Sequence, residues 1–213
     1  AIHEACEKKV LNEVNDPIEA FKTAFKRELK NLEVDQLNKK LVVAMASQGA
    51  ELAPLMIPAL KEHFGDYSVI SVEEKLYEGI GEFTNAEFNF KGYIDLVVQT
   101  SDGKFHIIDW KTCSWGWDSR RKNEKMTTYQ LTFYKHYWAL KHGVDPSLIE
   151  VHFALAKRTA KNNRVEIFRV PCGSIKTKNA INLLTKALYN INNKVYIKNR
   201  SACIDRWGPC EFY

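Results

Sequence analysis

The chain has 213 residues, 45% hydrophobic and 27% charged, which fits one globular domain with a full core and excludes a fibrous or disordered chain. Uninterrupted apolar runs, such as 41–46, are too short to span a bilayer, so no membrane partner is expected. Net charge is +5, but residues 157–200 hold eleven Lys/Arg against one acid, Glu166, so that stretch carries +10 and the remainder −5.

Such asymmetry suits a polyanion, because Lys and Arg release counterions when they pair with phosphates; a solvated helix face reads equally well. The opening residues, Ala-Ile-His-Glu-Ala-Cys-Glu, lack the basic start and apolar stretch of a signal peptide and read as an amphipathic helix entered partway. Amphipathic stretches at about 2–14 and 18–32 flank Asp16-Pro17, where Asp can cap and Pro can take the first turn. A third stretch, about 35–64, is expected to break near Pro54 and Pro58.

The period then changes. Segments 69–80, 86–100 and 104–112 are rich in β-branched and aromatic residues, with Asp102-Gly103 at the tip of a hairpin joining the last two. Residues 113–125, which include Gly116, read as a mobile loop. A helix at about 126–142 is stopped by Gly143 and Pro146. Strands at 148–156 and 164–170 and a helix at 174–193 follow. The expected fold is α/β: a central mixed β-sheet flanked by helices, with a helical N-terminal portion over 1–65 and the sheet core over 66–213, all one domain.

Two carboxylates fall where strand statistics disfavour them. Asp95 interrupts Tyr-Ile-Asp-Leu-Val-Val and Asp109 interrupts His-Ile-Ile-Asp-Trp-Lys. A buried, unpaired carboxylate is costly, so something must compensate both. Hard Mg2+ or Mn2+, which takes a few carboxylate oxygens plus water and phosphate, is the natural partner. Lys111 lies two residues after Asp109, on the same strand face, where it can orient a water and offset charge on a phosphate. A structural Asp–Lys ion pair is the competing reading. Register supplies a test. A two-residue loop at Asp102-Gly103 would set Asp95 opposite Trp110 and point the aspartates to opposite faces, so an odd loop or a one-residue bulge is expected.

Gly92-Tyr-Ile-Asp95, then Ile107-Ile-Asp109-Trp-Lys111-Thr112, then Gln130-Leu-Thr-Phe-Tyr134 resemble the motifs of the PD-(D/E)XK nuclease superfamily in its RecB-like branch. The Asp109-Trp-Lys111-Thr112 string also resembles that of the mitochondrial genome maintenance exonuclease and related phage exonucleases. Ala1-Ile2-His3-Glu4 resembles the tail of that branch's G-x-x-x-H motif, its glycine falling before Ala1, as in a domain or trimmed chain. The resemblance implies a restriction-endonuclease-like core and a Mg2+- or Mn2+-dependent nuclease acting on DNA, single-stranded or with free ends, most simply as an exonuclease in DNA processing, recombination or repair. It implies His3, Asp95, Asp109 and the Trp110 carbonyl as metal ligands and Lys111 as the residue that positions water. Gln130 and Tyr134, four apart on one helix face, would hold Lys111 or the DNA backbone. The family's middle-strand glutamate is Glu73 by spacing and Glu74 by alternation, and both stay open. A catalytically silent DNA-binding module and a nuclease acting on RNA are the alternatives. There is room for a helicase or another replication or recombination protein as partner.

Trp115 and Trp117 beside Arg120, Arg121, Lys122 and Lys125 suit base stacking and phosphate binding; packing of both tryptophans on the helix over 129–138 is the alternative. Lys157 and Arg158, after a predicted strand, are phosphate-contact candidates. Five cysteines without a secretory signal indicate a reducing, intracellular compartment. Some family members carry an iron–sulfur cluster. Here the tail offers only Cys203 and Cys210, and Cys6, Cys113 and Cys172 make no obvious set with them, so no cluster is expected.

Overall fold

The structure, a computed structural model, describes residues 1–33, 37–80 and 88–196 together with the backbone of 204–205 and 208–209. Three helices come first: α1 (Ile2–Val10), α2 (Pro17–Leu29) and α3 (Lys39–Phe64). Strands β1 (Tyr67–Gly79), β2 (Asn89–Thr100) and β3 (Phe105–Cys113) follow, then the one-turn helix α4 (Ser119–Lys122) and α5 (Lys125–His142). A 3-10 turn (Pro146–Leu148) leads into β4 (Ile149–Lys157), β5 (Val165–Arg169) and α6 (Ser174–Asn192). Two short strands, β6 (Ile204–Asp205) and β7 (Gly208–Pro209), pair with each other. The expected starts at 35 and 86 lie outside the described residues.

β1 to β5 form one sheet in that order, with β3 and β4 parallel and the other neighbours antiparallel. This is the mixed α/β sheet expected. Both faces are covered, which is why the middle strands read as almost continuous apolar runs. On one face Val97, Ile107, Phe153 and Leu155 pack with Leu131, Tyr137 and Trp138 of α5 and Leu188 of α6. On the other, Leu96, Val98, Ile108 and Trp110 pack with Cys6, Phe21, Leu52 and Met56 of the first three helices. The site therefore sits in a sheet held rigid from both sides.

Asp16 caps α2 as expected: its carboxylate accepts from the Ile18 amide at 2.8 Å, with Pro17 in the first turn, a cap worth about 1 kcal/mol. Three expectations are corrected. α1 stops at Val10 rather than 14, and Asn12 just beyond it takes a left-handed φ of 57°. α3 runs unbroken through Pro54 and Pro58. Its buried stripe of Leu52, Ala53, Met56 and Leu60 outweighs the two missing backbone donors. By length and composition α3 could cross a bilayer, a property that uninterrupted apolar runs do not reveal; here its stripe packs on the sheet. The segment 113–125 is not simply a loop. It holds α4, capped by Asp118, whose carboxylate accepts from the Arg121 amide at 2.7 Å.

The β2–β3 turn has the odd length that the site requires. Ser101, Asp102 and Gly103 form a three-residue loop, closed by Thr100 N–H to Lys104 O at 3.0 Å and Gly103 N–H to Thr100 O at 2.9 Å. Gly103 has φ +82°, which a side chain would strain. Val98 then faces His106 and Leu96 faces Ile108. Asp95 and Asp109 come next on the two strands, near enough for the Asp95 charge to act on Asp109.

Candidate active site

The β2–β3 pairing ends at Leu96 and Ile108, while β2 stays paired with β1 and β3 with β4. The two strands thus fork, and Asp95 and Asp109 are the first residues past the fork. The Trp110 N–H, which has no partner strand there, donates to Asp95 Oδ2 at 2.6 Å. Asp95 thereby caps an orphaned strand amide and is itself fixed in place.

Asp109 is 2% exposed. Gln130 Nε2 on α5 donates to Asp109 Oδ1 at 3.0 Å and to the Tyr134 hydroxyl at 3.0 Å. Gln130 therefore holds Asp109, where the resemblance implied a hold on Lys111 or the DNA backbone. The Lys111 ammonium lies 2.5 Å from Asp109 Oδ2, a charge-assisted contact that holds this buried oxygen. Beneath it, the Phe153 ring centroid is 5.9 Å from the ammonium. Gly92 has a packing reason: a Cβ there would meet Tyr134 Cε1 at 2.8 Å, so the glycine lets the Tyr134 ring lie on β2.

The first helix approaches from the other side. His3 Nδ1 is 3.7 Å from Asp95 Oδ2. A small crevice between α1 and the strands is lined by His3, Glu7, Glu73, Asp95 and Trp110. Glu73 has φ +48°, a left-handed backbone conformation in the middle of a strand. That kink breaks the alternation on β1: Val72 packs with the α1–α3 face, whereas Leu76 packs with the α5 face. Glu73 is turned to the crevice. Glu74 instead binds Trp138 Nε1 at 3.0 Å, Lys141 at 2.7 Å and His142 at 2.6 Å. The two glutamates are thus separated by a backbone feature that neither spacing nor alternation encodes. Glu7, one turn after His3, is a carboxylate the sequence reading missed; its signal was the i, i+4 spacing.

The electrostatics follow from burial. Desolvation pushes the Asp95 carboxyl up to about 6, against the pull of the Trp110 amide and Lys111. Desolvation also raises Asp109 to about 6, opposed by Lys111 and reinforced by Asp95. Burial, with Asp95, Glu7 and Asp109 adding to it, raises Glu73. Burial lowers His3, which favours the neutral imidazole that a metal requires. Shifts of this size correspond to about 3 kcal/mol per aspartate. Two desolvated carboxylates with raised values and an imidazole held toward its neutral form fit a divalent cation chemically. The donors are not one closed set, however. Among the described residues only a different His/Glu group brings three donor atoms within 4.8 Å of one another.

The titration has a sign that can be checked. A carboxyl raised in the fold stabilises the metal-free protein fully below its ordinary value near 4, and that contribution is lost as pH rises through about 6. Metal binding needs the ionised form and runs the opposite way. Mn2+ affinity is expected to fall by about tenfold per pH unit below 6, or more where both carboxyls must lose a proton, while metal-free thermal stability rises over the same range. Titration calorimetry and thermal melts from pH 5 to 8 would measure both. PH-independent affinity would contradict the assignment.

The candidate nucleic-acid residues divide. Trp115 is 76% exposed, and Arg120, Arg121 and Lys125 are exposed around α4. Trp117 packs inward on Phe153 and Phe168 of the sheet, at ring centroids of 5.0 and 6.2 Å, against the core that α5 also joins. Arg121 lies over its outer face at 5.3 Å. Lys122 and Lys157 both pair with Glu166. Lys157 is buried, at 6% exposure, which corrects its reading as a surface phosphate contact. Arg158 is tied to Ser114 Oγ at 3.2 Å and Gln48 at 3.4 Å. Cys6 packs on the α1–α3 face, Cys113 and Cys172 on the α5 face, and Cys203 and Cys210 lie outside the described residues.

Comparison with known proteins completes the description. Among solved structures, that described as "Putative exonuclease" from Eubacterium rectale is similar at 13% identity, over 88% of this chain and 68% of that chain, with a TM-score of 0.52. That likeness concerns the fold alone. The crystal structure of SSO0001 is similar at 14% identity over 78% of this chain and 69% of that one, with a TM-score of 0.40, and adds no argument. No curated protein matches. A family model described as PD-(D/E)XK nuclease superfamily matches residues 1–191, which is nearly the whole chain and includes every motif residue of the fork. The chain therefore belongs to the PD-(D/E)XK nuclease superfamily.

Proposed function

We propose that this chain is a Mg2+- or Mn2+-dependent deoxyribonuclease of the RecB-like branch, acting from DNA ends in DNA processing, recombination or repair. The observation that carries the reading is the fork. Asp95 and Asp109 directly follow its last paired residues, with Lys111 2.5 Å from Asp109 and His3 3.7 Å from Asp95. Asp95, Asp109, His3 and the Trp110 carbonyl would hold the ion, with Glu73 beside them. A divalent ion bound there makes a water a better nucleophile at neutral pH and offsets charge on the phosphate.

The chain's own groups do the rest. With Asp109 engaged by an ion, the Lys111 ammonium would be free to orient the attacking water and offset charge on the scissile phosphate. Gln130, steadied by the Tyr134 hydroxyl, limits the rotation of Asp109. Trp115 and the cations around α4 offer a stacking platform and phosphate contacts beside the strand that carries Lys111.

Digestion of circular against linear DNA, each single- and double-stranded, with Mg2+, Mn2+ or a chelator, tests the proposal. Metal-dependent loss of linear DNA with circles preserved is expected. Cutting of circles would replace end-dependence with an endonuclease. Binding without cleavage under every metal condition would establish a silent DNA-binding module, and cleavage of RNA alone would move the substrate.

A further inference from the structure

A second group of ligating side chains lies at the hairpin end of the sheet, on the face opposite Asp109. β3 and β4 run parallel, with His106 level with Glu150 and Ile108 level with His152. Both histidines turn toward the C-terminal end of α3, where the Phe64 ring lies 4.8 Å from His106 and 5.0 Å from His152. His106 Nδ1 and His152 Nε2 are 3.1 Å apart. Glu150 Oε2 is 3.9 Å from the first and 4.0 Å from the second. Among the described residues this is the group whose three donor atoms fall within 4.8 Å of one another. Ligand atoms around a tetrahedral ion with bonds of about 2.0–2.1 Å sit about 3.3 Å apart, so modest side-chain adjustment closes the triangle.

We infer that His106, Glu150 and His152 form a second metal site, separate from the catalytic one and suited to a borderline-soft divalent ion such as Zn2+, with a fourth position open to water. The donor set carries the choice of metal: two imidazoles and one carboxylate favour Zn2+, whereas the carboxylate-rich fork favours Mg2+ or Mn2+.

Three features go beyond proximity. Two facing imidazole nitrogens at 3.1 Å can share only one proton, so at least one lone pair already points into the triangle. The ring of His106 is oriented from behind, where Nε2 meets Thr100 Oγ1 at 3.0 Å, an outer contact of the kind that fixes a ligating histidine. Glu150 is steadied through its other oxygen, with Arg169 Nη1 3.0 Å and Lys104 Nζ 3.7 Å from Oε1, which leaves Oε2 free to ligate. The exposed His63 ring, edge-on to His152 at 5.6 Å, marks the solvent side from which an ion would enter.

The ligands come from the two central strands, so an ion here clamps β4 to the strand that carries Asp109 and Lys111. Its effect is on stability, since it faces away from the fork.

Titration of metal-free protein with Co2+, followed by its visible bands, tests the site. One equivalent with four-coordinate bands is expected, displaced by Zn2+ and not by excess Mg2+. Glu150→Gln and His106→Gln are each expected to weaken that binding by at least about tenfold, while Asp109→Asn leaves it intact. Unchanged bands and affinity in both ligand variants would overturn the proposal, as would their loss in Asp109→Asn alone. Should a variant fail to fold, the unsubstituted protein decides. One equivalent of Zn2+ must shift the ring nitrogen resonances of His106 and His152, and unmoved resonances would refute the site.

Discussion

Asp109→Asn is expected to reduce phosphodiester cleavage by about a thousandfold or more while leaving the fold intact. The amide is isosteric and can still accept the hydrogen bond from Gln130, now 3.0 Å from Oδ1. What is lost is the charge that an ion would neutralise. The metal-free variant should be no less stable than the parent at pH 8, and more stable if burial dominates. The ionised parent carries a desolvated carboxylate whose value is raised to about 6. Stabilisation by Mn2+ should shrink in parallel. Turnover within tenfold of the parent, under the same metal conditions, would remove Asp109 from the catalytic set.

Lys111→Met separates a catalytic lysine from a structural ion pair. Cleavage is expected to fall by about a hundred- to a thousandfold, with Mn2+ affinity unchanged or improved. The sign follows from geometry: the ammonium, 2.5 Å from Asp109 Oδ2, occupies the position of a competing cation. Methionine preserves much of the aliphatic packing over Phe153, whose ring lies 5.9 Å from the ammonium. A purely structural pair would behave differently, with lost stability and cleavage largely retained. Activity assays, thermal melts and metal titration on the one variant distinguish the two.

Much of this was legible in the chain. Asp95, Asp109 and Lys111 stood out because strands seldom carry such residues, and the parity of the hairpin could be argued before any coordinates. Gly92 and Tyr134 belonged to one pattern in the sequence, and the structure supplies the reason, a ring lying on a backbone that has no Cβ. Other parts were not legible. Glu73 and Glu74 are separated by a φ of +48° at Glu73, a left-handed conformation that glutamate does not favour locally. Trp115 and Trp117 are two residues apart with the same chemistry, yet one is 76% exposed and the other packs on Phe153. Lys157 looked like a surface cation and is buried against Glu166 nine residues on, because β4 and β5 pair across the intervening turn.

The sequence by itself determined the order of the elements, the alternation that points side chains to one face or the other, and the residue types able to hold a hard cation. Those follow from backbone periodicity and side-chain chemistry, which are local. Tertiary structure alone decided how far apart the groups stand and how strongly they are desolvated. It placed Gln130 on Asp109, set His3 against Asp95, and raised both aspartates by taking them out of water. It also brought His106, Glu150 and His152 together from two parallel strands. Distance and dielectric belong to the packed molecule, and no reading of neighbours along the chain contains them.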